Sequence, residues 1–180
     1  IKVRAVMLGE QAHTGPTAMA RRKDALLGAA HVIAGLREMA DTASDVLHTS
    51  VGRLEVSPNS PNIVPGRVTL FIELRAPTPQ TLLDAEARLD SLLQESATRA
   101  GVEVEVASRD RRPAGTFDTH LAEMAEQEAA SLGFGHMRLD TIAGHDAIPV
   151  GRRCPAIVVN VPSVGGVCHN ADEYTAPGDL

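Results

Sequence analysis

What most constrains this chain is the order in which its hydrophobic period changes along residues 1–106. Ile1, Val3, Ala5 and Met7 fall at alternate positions, the pattern of a strand with one buried face. A rhythm near 3.6 residues follows in Ala18, Leu26, Ala29, Ala30, Ile33, Leu36 and Met39. It predicts an amphipathic helix entered near Pro16 and broken over Asp41–Ser44. A strand pattern returns over Val46–Val56, closed by the turn sequence Ser57-Pro58-Asn59-Ser60-Pro61. Alternation recurs at Val68, Leu70, Ile72 and Leu74, with Thr69, Phe71, Glu73 and Arg75 between them. Leu82, Leu89, Leu92 and Leu93 mark a second helix over Pro79–Ala100, and Val102, Val104 and Val106 a last strand. Strand, helix, strand, strand, helix, strand predicts a ferredoxin-like α+β domain: a four-stranded antiparallel sheet with two helices on one face.

The charged stretch Arg109–Gly115 contains Pro113 and reads as a domain boundary, dividing the chain into 1–112 and 113–180. Beyond it the pattern predicts a helix over about 118–132, a short strand near Met137–Leu139 and a helix after Gly144. The nearly all-apolar run Ala156–Val161 is expected to be a buried strand of an α/β sheet. So short a second piece is expected to be part of an α/β domain whose remainder precedes Ile1. The absence of an initiator Met agrees with an excised segment.

Composition narrows the function. Aromatic residues are 2% of the 180, and 17 basic against 23 acidic residues give a net charge of −6. Nucleic-acid binding, which needs a basic face or stacking rings, is not expected. No apolar run approaches the ~20 residues needed to span a bilayer, so no membrane partner is expected. Cys154 and Cys168 form neither a disulfide framework nor a CxxC pair, which suits a reduced, cytoplasmic setting. Cys154, just before the apolar run, is expected in a core.

Polar residues gather among glycines in three segments, as site loops tend to do. In Gly9–Thr17, His13 is expected just ahead of a helix N-terminus, where backbone N–H groups suit an oxyanion or carboxylate; capping or filling the turn is the alternative. In the second, Asn62 precedes Ile63-Val64-Pro65-Gly66 and a strand that ends at Arg75. A guanidinium there can grip a carboxylate through two parallel hydrogen bonds, or Arg75 is an ordinary exposed arginine and Asn62 a turn residue. The third joins Ala143-Gly144-His145-Asp146-Ala147 to Gly165-Gly166-Val167-Cys168-His169-Asn170-Ala171-Asp172-Glu173. Histidines in Gly-rich loops with carboxylates close behind are what a metal or acid/base site requires. His31, His48, His120 and His136 lie in helix or strand patterns and read as packing or surface residues. No phosphate-binding Gly loop, G-x-S-x-G elbow or H-E-x-x-H helix is present.

The runs QAHTGPTAMARRKDAL, PNIVPG with IELRA, AGHDA and GGVCHNADEYT resemble, in order, the hydantoinase/carbamoylase family of amidases. That family includes N-carbamoyl-L-amino-acid amidohydrolases, beta-ureidopropionases and allantoate amidohydrolases, within a wider group of di-metal aminoacylases and carboxypeptidase-like peptidases. The resemblance implies a lid and dimerisation domain inserted into a metal-dependent catalytic domain. It puts His169 on the last metal-ligand position and His145 on a catalytic histidine that steadies the developing oxyanion. His13, Asn62, Arg75 and Gly144 fall on substrate-binding positions, with Arg75 the carboxylate anchor. It further implies two divalent ions per site (zinc, manganese, cobalt or nickel), held mostly by residues outside this chain. The substrate would be a small carbamoyl or ureido acid, and the assembly a homodimer through the lid, with some lid contacts crossing to the partner. The segment alone is expected to be inert. A peptidase or N-deacylase of the same di-metal group, or a dimerisation module without a site of its own, are the alternatives.

Overall fold

The computed structural model describes every residue except Ser44 and Asp45. Its elements are β1 (Lys2–Leu8), β2 (Ala12–His13), α1 (Ala25–Asp41), β3 (His48–Ser57), β4 (Ile63–Val64), β5 (Arg67–Arg75), α2 (Pro79–Ala100), β6 (Glu103–Asp110), α3 (Thr119–Ser131) and α4 (Ala147–Gly151). Two compact units result, Ile1–Pro113 and Ala114–Leu180.

In the first unit β3, β5, β1 and β6 form one antiparallel sheet in that order, the ferredoxin-like arrangement expected from the sequence. Alternation decides the faces. Val68, Leu70, Ile72 and Leu74 are buried with Val3, Ala5 and Met7 against α1 and α2. The intervening Thr69, Phe71, Glu73 and Arg75 take the opposite face, where Arg53 lies over the Phe71 ring at 4.7 Å. Each fully buried Leu or Ile contributes roughly 1.5–3 kcal/mol, so the helix-covered face carries the unit's stability. Helix α2 occupies the predicted span. Thr78 caps its start by accepting from the Thr81 N–H at 3.1 Å, Pro79 supplies a preset φ, and Gly101 ends it in the left-handed region at φ 65°.

Helix α1 differs from expectation. It begins at Ala25, capped by Asp24, whose carboxylate accepts from Leu26 and Leu27. Ala18 precedes a short 3-10 turn, Met19–Arg21, and is not part of the helix. The entry near Pro16 fails because Arg22 turns back, donating from Nε to the Thr17 carbonyl at 2.9 Å and from Nη2 to that of Thr14. The buried stripe is Ala25, Gly28, Ala29, Val32, Leu36 and Met39, while Leu26, Ala30 and Ile33 are exposed. The helix ends at Asp41, with Thr42 as its cap; Ser44, the last residue of the predicted break, lies outside the described residues.

The far end of the sheet is tied by ions. Glu86 on α2, 5% exposed, accepts from Arg109 at 2.6 Å and from Arg111 Nε and Nη2 at 2.9 and 2.6 Å. Asp90 takes the other side of Arg109 at 2.5 Å. The Arg111 hydrogen bond, with Arg109 behind it, holds the Glu86 carboxyl below its ordinary range despite opposition from burial.

In the second unit α3 forms where expected, with Asp118 accepting from the Leu121 N–H at 2.8 Å, and α4 follows Gly144. Neither predicted strand is present among the described residues. Among the described residues Met137–Leu139 and Ala156–Val161 join no strand ladder, Ala156 only accepting one backbone bond from the Asp118 N–H at 3.0 Å, and Val159 is 72% exposed. An apolar run becomes a strand only where another backbone completes its hydrogen bonds. Cys154, expected in a core, is likewise exposed. No helix is long and apolar enough to cross a membrane among the described residues.

Candidate functional site

The loop after β1 is held by main-chain bonds from three directions. Gly9 N–H donates to Gly66 at 2.8 Å, Glu10 to Lys23 at 2.9 Å and Thr14 to Asn62 at 3.1 Å. Gly9 is required here: a Cβ would stand 2.0 Å from the Lys23 carbonyl oxygen. β2 and β4 pair His13 with Ile63, so His13 and Asn62, far apart in sequence, become neighbours. The expected helix N-terminus beside His13 is absent, since α1 starts at Ala25. The Asn62 side-chain oxygen accepts from Ser60 Oγ at 2.8 Å.

His13 Nδ1 accepts the Gly15 N–H at 3.0 Å. A neutral imidazole that accepts at Nδ1 carries its proton on Nε2, so His13 offers an N–H donor there. His145 repeats the device in the second unit, its Nδ1 accepting from Ala147 N–H at 3.0 Å. The adjoining Gly144 is open, with no atom within 4 Å of where a Cβ would stand. His169 differs: its ring makes no hydrogen bond among the described residues, while its backbone N–H donates to Glu173 Oε2 at 2.9 Å. Two histidines are thus preset as donors, and one keeps both ring nitrogens for another partner.

Arg75 ends β5 directly opposite His48 on β3 and donates to Glu73 at 3.0 Å. The sheet does not bring it to His13 and Asn62. Those lie at the Arg67 end of β5, and the strand's rise of about 3.3 Å per residue places Arg75 roughly 26 Å from Arg67. Among the described residues no three His, Cys, Asp or Glu side chains converge on a point. His169 is thus not joined by two further such side chains among the described residues. Glu173 stands in the sequence among the carboxylates close behind His169, but its bond goes to the backbone N–H and not to the ring; Lys23 and Arg22 carry no such sign. Their bonds join residues through main-chain carbonyls and amides, which side-chain patterns do not reveal.

Residues 1–101 match the peptidase dimerisation domain family. An N-carbamoyl-L-amino-acid amidohydrolase of Rhizobium meliloti is 32% identical over 93% of this chain and 40% of its own length. An allantoate amidohydrolase of Bacillus subtilis is 33% identical over 96% of this chain and 42% of its own. The crystal structure of a hydantoinase/carbamoylase family amidase from Burkholderia vietnamiensis superposes with a TM-score of 0.86 and 30% identity, covering 98% of this chain and 43% of that one. The chain therefore spans about two fifths of the length of these relatives. These are the amidases that the four sequence runs resemble, and with the match covering more than half of its residues the chain belongs to the peptidase dimerisation domain family.

Proposed function

We propose that this chain is the lid and last metal-binding loop of an amidohydrolase that cleaves the C–N bond of N-carbamoyl or ureido acids. The observation that carries the reading is the division among its histidines: His13 and His145 preset as Nε2–H donors, His169 with an uncommitted ring. Hydrolysis adds water to the ureido carbon, builds negative charge on its oxygen, and breaks the bond to the amino-acid nitrogen. An Nε2–H donor such as His145 stabilises that oxygen best where it is preset, because no reorganisation is needed as the charge forms. Arg75 grips the substrate carboxylate and so fixes which carbonyl reaches the reacting centre. Asn62, with a polar side chain, and Gly144, with an unhindered backbone, are further substrate-binding positions of this reading. His169 is one ligand of a site for divalent ions (zinc, manganese, cobalt or nickel) completed by residues outside this chain. Such ions, when bound, supply a Lewis acid and an acidified water.

The distance along β5 supports a homodimer. About 26 Å separates the His13–Asn62 end from Arg75, several times the length of a small ureido acid. One substrate can be held by both only if they come from different copies. β5 is internal to the sheet, so the available edges are β3 and β6. β6 carries Glu103, Glu105, Arg109 and Asp110, charges that blunt an edge, whereas β3 is charged only at Arg53 and Glu55. Beside β3, α1 exposes Leu26, Leu27 and Ile33. These surfaces favour pairing of two copies through β3 and α1.

The test is an assay of the longer protein that carries this sequence against N-carbamoyl, N-acetyl and dipeptide substrates. N-carbamoyl or ureido acids should be preferred, and the 180-residue chain alone with added zinc or manganese should be inert. His145→Gln should lower kcat by about 10²–10³, and Arg75→Gln should act chiefly on KM. Preference for dipeptides or N-acetyl substrates would replace this reading with a peptidase or deacylase. Unchanged turnover in Arg75→Gln and His13→Ala would leave only a dimerisation module.

A further inference from the structure

We propose that Glu173 is the positioning residue of His169: its carboxylate captures the His169 backbone N–H and locks that residue in the left-handed conformation that sets its imidazole's direction. The inference rests on the reading of His169 as a metal ligand.

His169 has φ 53°, and among the described residues it is the one non-glycine at positive φ. An L-residue enters that region against the contact between its Cβ and the following carbonyl, so something must hold it there. The loop around it is built to do so. Val164 N–H donates to the Tyr174 carbonyl at 2.8 Å and closes the base. Gly165 and Gly166, at φ 68° and 69°, take the chain through the same region without a side-chain cost. Ser163 Oγ donates to the Val167 carbonyl at 2.5 Å. Past His169, Asn170 turns the chain: its side-chain oxygen accepts from Asp172 N–H at 3.0 Å and its carbonyl from Glu173 N–H at 3.1 Å. That turn delivers the Glu173 carboxylate to the His169 amide at 2.9 Å. Glu173 is therefore bonded through backbone and side chain at once, and its carboxylate is spent on an amide rather than on a ring nitrogen. The His169 ring is held from behind, through its own backbone, with both nitrogens left for another partner. Groups that orient a metal ligand commonly change metal affinity by about 10–100-fold when removed.

Two measurements test this. In the 180-residue chain, amide exchange read by nuclear magnetic resonance should accelerate at His169 by about tenfold in Glu173→Ala. Glu173→Gln, which keeps an oxygen acceptor, should stay close to the unaltered chain. In the longer protein, manganese affinity measured by chelator competition, without turnover, should fall about 10–100-fold in Glu173→Ala and recover largely in Glu173→Gln. His169→Ala should fall at least as far. Unchanged manganese affinity in Glu173→Ala while His169→Ala loses it overturns the positioning role alone. Unchanged affinity in His169→Ala overturns the metal-ligand reading and this inference with it. Loss in Glu173→Ala without any change in His169 exchange makes Glu173 a direct ligand and also overturns the proposal.

Discussion

The two units are written in similar apolar residues, yet only one closes around them. In the first, Val68, Leu70, Ile72 and Leu74 are at most 1% exposed, covered by α1 and α2. In the second, Met137, Leu139 and Val159 are 75, 68 and 72% exposed, and no residue of it is fully buried among those described. The first unit supplies, within its own length, a neighbour for each strand and a helix for its apolar face. The second has helices but, among the described residues, no ladder. Hydrophobic sequence is a demand for cover, and whether it is met depends on which other segments share the fold.

That contrast can be broken at its strongest point. Leu70→Ala should destabilise the first unit by about 3 kcal/mol, whereas Val159→Ala should stay within about 0.5 kcal/mol, both read from urea unfolding of the 180-residue chain. Comparable losses would mean the second unit has a core of its own. Close approach in the first unit is tested next by Gly9→Ala. With the Lys23 carbonyl 2.0 Å from the new Cβ, it should cost about 2–3 kcal/mol and lower the thermal midpoint.

Glu86→Gln follows, at about 2 kcal/mol, and it carries a pH signature. The folded carboxyl lies below its ordinary value of 4.5, first through Arg111. Its contribution is therefore fully present above that value and is lost as pH falls through the lower folded one. Acid unfolding curves of Glu86→Gln should be flatter on that side than those of the unaltered chain. The smallest effect belongs to Asp24→Ala, about 1 kcal/mol from the lost α1 cap, readable as a fall in urea midpoint with an unchanged slope.

The β5 strand shows what a sequence reveals well: a strict alternation over Val68–Leu74 admits one register, because a slip by one residue would turn every valine and leucine to water. α1 shows where the pattern misleads. Leu26, Ala30 and Ile33 keep a helical rhythm on the exposed side, and Asp24, the actual start signal, stands inside what reads as a longer helix. In the second unit Ala156–Val161 carries the composition of a buried strand, but pairing is a property of two segments and cannot be read from one. The candidate site divides in the same way. His13, Asn62, Arg75, His145 and His169 stand out by residue type and glycine surroundings. The ladder that joins His13 to Asn62, the separation of Arg75 from both, and the capture of His169 by Glu173 arise from folding and leave no mark in composition.

The ion cluster at the end of β6 has a consequence for dissecting this chain. Arg109 and Arg111 are moored to Glu86 just ahead of Pro113, the last residue of the first unit. A chain severed after Pro113 thus keeps both hooks of that mooring. Limited proteolysis should release residues 1–113 as a durable product while the remainder is digested.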